Sequence, residues 1–407
     1  MRLPHRLRTY GIHLYFLSYF IVLFFQHKHI GALRIPFILF IIWQMARKKL
    51  SPKFLVDPVS IGIFSFLIAA FISNVINNVP QDKIYYILNW LFPYYLGKYT
   101  VKIEDRINAA SIVYYGLLCA TIFSLVGISG YLFNISSLFG VELFTSGDRY
   151  VFTFSGTNRA GFCVGVILVL STYVFVKDRF TFNRHMIFPL VCWLITFACL
   201  FLIKERKTIL VVGTAVLALL ALYRNYKLPM VLVALVGLAL LVAPIPERYH
   251  LKEMALNEGI LGRLNSWESA IGLFKEKPLF GHGFPSFKKA SKTYFEQNKD
   301  RFKFKVFFNW AIAHNLSLNT LAETGLLGCI AINVIFFSAW RFYKYTYSDP
   351  LLFVLGLTIC FIYITMQVGN FAHSAARTDI SFLVIGLYTG FERQKLKIDE
   401  RTTPLTI

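Results

Sequence analysis

The stretch that opens Arg263-Leu264-Asn265-Ser266-Trp267 and closes His314-Asn315-Leu316-Ser317-Leu318-Asn319-Thr320-Leu321-Ala322-Glu323-Thr324-Gly325-Leu326-Leu327-Gly328 decides how the chain is read. It starts in the only long polar segment of an otherwise apolar sequence and ends inside an apolar run. Around it, 56% of the residues are hydrophobic, 17% aromatic and only 15% charged. Soluble domains carry about 25% charge, so the expected fold class is an all-α polytopic integral membrane protein.

The net charge of +21 would point to nucleic acid in a soluble chain. Here the Lys and Arg fall mostly in short gaps between apolar runs, which is an orientation signal, so membrane lipids and no nucleic acid are the expected surroundings. The six cysteines all lie inside apolar runs without metal-ligand spacing. Neither a disulfide framework nor a metal site is expected. Arg2, Arg6 and Arg8 precede an apolar run that no small-residue cleavage site follows, so it is read as a retained first span.

A span needs about 20 mainly apolar residues. That criterion gives twelve spans: 12–26, 30–46, 57–76, 84–99, 109–133, 160–176, 186–203, 207–223, 228–245, 316–340, 350–368 and 378–392. Residues 1–407 form one transmembrane domain, with a large, partly helical loop at 246–315 between spans nine and ten and a core motif region at 263–328. With the N-terminus inside, the inner segments hold 21 Lys and Arg against 9 in the short outer loops. Both termini are therefore expected in the cytoplasm and the 246–315 loop outside.

The outer cations run against this bias. Arg149 and Arg159 flank Thr153-Phe154-Ser155-Gly156-Thr157-Asn158, and Lys204-Glu205-Arg206-Lys207 makes a tight turn between two spans. Such cations either snorkel to headgroups or hold an anionic ligand such as a lipid-linked pyrophosphate. For Arg206, at the centre of the tightest turn, the ligand reading leads.

In the long loop, Leu264, Trp267, Ile271 and Phe274 recur at helical steps and predict an amphipathic helix. Lys277-Pro278 stops it, Gly281-His282-Gly283-Phe284-Pro285 makes a turn, and a second helix is expected from Ser286 to about Gln297. Arg301-Phe302-Lys303-Phe304-Lys305-Val306-Phe307 alternates cation and apolar residue, as an extended segment at a membrane surface does. His314 then stands where the chain re-enters the membrane. Its side chain suits proton transfer near neutrality, although a histidine at a membrane edge more often only hydrogen-bonds. Asn315 and Asn319 follow, and Glu323 lies deeper, where an ionisable group needs a polar cavity or a partner. Gly325 and Gly328 read as close-packing positions.

Together these residues resemble the bacterial O-antigen ligases and the related O-antigen polymerases. The resemblance is carried by His-Asn, nine residues and Gly-x-x-Gly at 314–328, by the Gly-Arg-x-x-x-Trp helix at Arg263, and by Pro278-Leu279-Phe280-Gly281-His282-Gly283-Phe284. Arg206 in Glu-Arg-Lys-Thr and Arg149 with Thr157-Asn158-Arg159 are weaker matches. It covers about residues 149–330; Ile312 stands where some members have a second histidine.

The resemblance implies transfer of a glycan from an undecaprenyl-pyrophosphate carrier to a lipid A-core hydroxyl at the periplasmic face of the bacterial inner membrane, without metal, nucleotide sugar or other cofactor. His314 would be the general base of an inverting displacement. Arg206 and Arg263 would stabilise the leaving pyrophosphate, since Arg grips phosphate bidentately. Arg149 or Arg159 would assist, with Lys207, Asn315 and Glu323 as further substrate contacts. The rivals are a polymerase joining lipid-linked repeat units, a transporter or flippase of polyanionic lipid, and a protein O-glycosyltransferase. Shared motifs do not separate the first, and no internal repeat supports the second.

Overall fold

The computed structural model describes residues 5–25, 39, 42, 56–103, 106–138, 140–144, 149–152, 154, 157–177, 184–223, 258–302, 312–367 and 375–402. The expected spans at 30–46 (Leu39 and Ile42 apart) and 228–245 lie outside the described residues, as do loop residues 246–257 and the alternating stretch from Lys303 onward.

Helices dominate in the order α1 (His5–Phe25), α2 (Pro58–Ile76), α3 (Tyr85–Leu88), α4 (Leu91–Ile103), α5 (Arg106–Leu132), α6 (Thr157–Ser171), α7 (Tyr173–Lys177), α8 (Arg184–Ile203), α9 (Arg206–Tyr223), α10 (Glu258–Glu276), α11 (Phe287–Gln297), α12 (Leu316–Phe337), α13 (Pro350–Gln367) and α14 (Ala375–Thr402). A two-stranded hairpin, β1 (Ser137–Leu138) with β2 (Val141–Glu142), follows α5.

Among the described residues six helices are long and apolar enough to cross a membrane: Pro58–Ile76, Ser111–Leu132, Asn158–Lys177, Arg184–Ile203, Leu316–Tyr345 and Pro350–Gln367. Two shorter apolar helices, His13–Phe25 and Lys207–Leu219, fall at the expected first and eighth spans. The expected span at 84–99 is divided into α3 and α4. Pro93 explains the division, since proline fits a first helical turn but breaks a continuous helix. The expected span at 378–392 sits within the longer α14, whose second half is charged.

The Asn158–Lys177 segment is the hub, 94% buried against its neighbours. Small residues allow this: a methyl at Gly165 would lie 2.5 Å from the Thr208 methyl on α9, and one at Gly161 would meet the Glu205 side chain. The helix therefore brings Arg159 of its own first turn alongside the α8–α9 turn.

Helices α2 and α12 run antiparallel, with Gly62 against Ala331 and Ile335 at one end and the Ser73 hydroxyl donating to the Glu323 carbonyl (2.8 Å) at the other. At Gly325, φ is +67° and ψ −161°, and α12 breaks. The groups freed there are taken up by the 278–283 turn. Leu326 N–H donates to the Pro278 carbonyl (2.8 Å), His282 N–H to Ala322 (2.9 Å) and Gly283 N–H to Glu323 (2.8 Å). Asn77 donates to Gly281 (2.9 Å) and Asn74 to Phe284 (2.7 Å), so α2 clamps the turn from the other side. Gly325 is thus a helix break and not only a packing position.

The opposite end of α2 is held by a buried ion pair. Asp57 caps the helix through Val59 N–H (2.9 Å) and Ser60 N–H (3.0 Å), accepts from the Tyr94 hydroxyl (2.7 Å) and pairs with Lys98, whose side chain is 1% exposed. Glycines 97 and 386 let α4 and α14 touch backbone to backbone beside this pair.

Asp57→Ala should destabilise the protein by about 3–5 kcal/mol, because it strands the Lys98 ammonium, while Asp57→Ala with Lys98→Met should recover much of the loss. Gly325→Ala should cost roughly 3 kcal/mol or more, since the added methyl falls 2.3 Å from the Leu279 carbonyl in a backbone region open only to glycine. Gly328→Ala should cost less, since its backbone is helical, although the added methyl overlaps the Thr324 side chain and forces it to shift. Thermal unfolding in detergent micelles reads all four variants.

Candidate active site

The site is assembled where the α10–α11 pair sits on the start of α12. Ala270, Leu273, Phe287, Ala313 and Ala322 form a small core there, separate from that of the bundle. The buried side of α10 carries Asn265, Ser266 and Ser269 beside Ala270 and Leu273, whereas Leu264 and Ile271 are each 43% exposed. The apolar stripe read from the sequence is therefore divided, with Leu264 and Ile271 outward and Trp267 and Phe274 half-buried. The small residues of the buried side allow the close fit, and Gly272 lies directly against the Tyr294 ring.

Glu323 is buried and fully engaged. Its carboxylate accepts from Phe287 N–H (3.1 Å), at the start of α11, and from Asn319 Nδ2 (2.8 Å). Asn319 Oδ1 in turn accepts from Ala313 N–H (2.9 Å). One chain of bonds thus runs from α11 through two side chains of α12 to the residue before His314. These contacts place Glu323 as a strut behind the site. Asn319, unassigned from the sequence, is its relay.

His314 has φ +52°, a left-handed conformation uncommon for a residue with a side chain. Asn315 follows as the N-cap of α12, accepting from Leu318 N–H (2.9 Å). Gln367, at the end of α13, accepts from Ser317 N–H at 3.4 Å. Burial, and then the charges of Arg263, Lys207 and Arg377, push the His314 pKa down to about 4. The imidazole is therefore neutral at pH 7 and able to accept a proton. His282, the loop's other described histidine, is also depressed by burial, but its Nε2 is spent on the Leu273 carbonyl (3.0 Å).

The cations divide as follows. Arg263, in α10, and Lys207, in the first turn of α9, both act on His314, and Lys207 is paired with Glu205 at 3.3 Å. Arg159 stands with Arg377 and Asp379 around Cys163 of α6. Arg149 is half-buried beside Tyr150, whose N–H donates to Leu202 (3.1 Å), and is not among the charges acting on His314. Arg206 opens α9, but its side chain lies outside the described residues. Arg377 was unassigned from the sequence. Its only signal there was that it is one of the few cations counted on the outer side.

Several donors in this region have no hydrogen-bond partner among the described residues although they are buried: Arg263 Nε, Trp267 Nε1, Gln367 Nε2 and Arg377 Nε. Buried donors of this kind are rare in folded proteins, and four of them on the elements around one histidine make a surface suited to an anion.

An uncharacterized protein of Haemophilus influenzae is 26% identical over 186 residues, covering 41% of this chain and 45% of that protein. The match thus spans less than half the length of the relative. Residues 190–333, from within α8 to within α12, match the family model described as O-Antigen ligase.

Proposed function

We propose that the protein is an O-antigen ligase, moving a glycan from undecaprenyl pyrophosphate to a sugar hydroxyl of lipid A-core at the periplasmic face of the inner membrane. The observation that carries this reading is the convergence of Arg263 and Lys207 on a neutral, half-buried His314 at the mouth of α12.

In this mechanism His314 takes the proton of the acceptor hydroxyl as its oxygen attacks the anomeric carbon. The bond from that carbon to the pyrophosphate oxygen breaks, and its electron pair leaves with the phosphate. Attack from the side opposite the leaving group inverts the anomeric configuration. Arg263, Arg206 and Lys207 stabilise the charge that grows on the departing pyrophosphate, a role for fixed donors in a water-poor site. Asn315 and Arg159 are assigned to substrate contact, and Arg149 to the margin of the cleft. Glu323 is assigned a positioning role: with Asn319 it holds the backbone that presents His314.

The cations that keep His314 neutral also tune it. A base with a pKa near 4 is weak, but an anionic donor beside it offsets their field and raises its proton affinity. Activity is lost as pH falls through the pKa of the base. The acid limb of kcat should therefore lie at higher pH than the acid limb of kcat/KM, which reports the protein without donor. Coincident limbs in a reconstituted assay would count against His314 as the base.

His314→Ala should lower kcat by roughly 10²–10⁴, and Arg263→Ala by about 10²–10³. In a deletion strain, lipopolysaccharide gels should show bare lipid A-core, restored by the wild type and not by His314→Ala. Single repeat units left on the core would identify a polymerase, and unchanged banding would exclude both.

A further inference from the structure

We propose that Arg377, in the first turn of α14, is a further guanidinium ligand of the donor pyrophosphate, an assignment that rests on the reading of the site given above. Four observations lead there.

The first is place. Arg377 is 63 residues from His314 in sequence, yet its charge reaches both His314 and Lys207 as well as Arg159 and Glu205. It therefore belongs to the same cluster as the groups already assigned to the leaving group.

The second is its hydrogen bonding. Arg377 Nε is buried without a partner among the described residues, as is Arg263 Nε. A guanidinium has five donors in a planar fork that matches two phosphate oxygens, whereas Lys207 acts as a point charge.

The third is the charge balance. Among the described residues, Lys207, Arg263 and Arg377 act on His314, Arg159 acts on Arg377, and the one carboxylate acting on Lys207 and Arg377 is Glu205. Glu205 is already engaged by Lys207 at 3.3 Å. Positive charge is in excess there among the described residues, and a pyrophosphate bridging a lipid and a sugar is an anion.

The fourth is energetic. A cation buried among other cations lowers stability unless an anion joins it. A purely structural arginine should be paired, as Lys98 is with Asp57. Arg377 shares Glu205 with Lys207 and keeps its Nε without a partner among the described residues, which suits a residue kept ready for a ligand.

The test is the thermal midpoint of the full-length protein in detergent micelles, titrated with inorganic pyrophosphate and, as a control, with monophosphate. Pyrophosphate should raise the wild-type midpoint more than monophosphate does. Arg377→Gln should leave the midpoint without ligand unchanged or higher, and should need roughly tenfold to a hundredfold more pyrophosphate for the same rise. Arg377→Lys, which keeps the charge and loses the fork, should fall between the two and carries the test if the glutamine variant does not fold. A lower midpoint with an unchanged pyrophosphate response would make Arg377 a structural residue and overturn the assignment. If Arg263→Gln weakens the response and Arg377→Gln does not, the assignment of Arg377 fails while the pyrophosphate site stands. If pyrophosphate leaves the wild-type midpoint unmoved, or neither variant alters the response, the site reading fails with it.

Discussion

The structure depends on how the backbone groups freed at Gly325 are satisfied. Within a bilayer, an unpaired carbonyl or N–H costs several kcal/mol, so a helix can break there only where protein replaces the lost bonds. The 278–283 turn does this with three backbone hydrogen bonds, and Ser73 adds a fourth from α2. The fit requires two glycines facing each other's backbone: a methyl on Gly281 would strike the Glu323 carbonyl, and one on Gly325 the Leu279 carbonyl. The loop is thereby fixed to the bundle at one depth, and α10 and α11, which flank the turn, are fixed with it. Arg263 and His314 are brought to the same place by this seam.

Two groups of buried charge show different logic. Asp57 and Lys98 are matched one to one, with Tyr94 and two backbone N–H groups completing the carboxylate's bonds. That cluster fastens α2 to α4. On the other side of the molecule the cations outnumber the carboxylates, and donors are left over. Excess charge in a low-dielectric setting is expensive to hold, and the same setting makes it effective when an anion arrives. The neutral histidine follows first from its burial and then from this surplus.

Much of this was legible in the sequence, and the limits have physical causes. The apolar runs located the helices well because length and composition alone define them; α2, α8 and α13 fall within two residues of the expected bounds. The division at Leu88–Leu91 was hidden because the stretch from Tyr85 to Leu96 is mostly apolar, with Asn89 and Pro93 its marks. The amphipathic character of α10 was visible, but Leu264 and Ile271 are outward while Asn265, Ser266 and Ser269 are buried, since small polar residues pack more closely than large ones. Glu323 stood out as an ionisable group in a span, while its partners, Asn319 and the first N–H of α11, depend on tertiary contact. Arg377 had no motif around it. Only the packing of α14 against α6 joins it to Arg159, and no local pattern encodes that meeting.

Breaking α12 at Gly325 also divides its dipole. The first piece, Leu316–Thr324, is a short helix of its own, and its peptide units point their positive end at Asn315 and His314. A helix start carries about half a unit of positive charge, here contributed by backbone and not by any side chain. Part of the positive potential around the histidine is therefore written into the chain path itself and would persist whichever arginine was replaced.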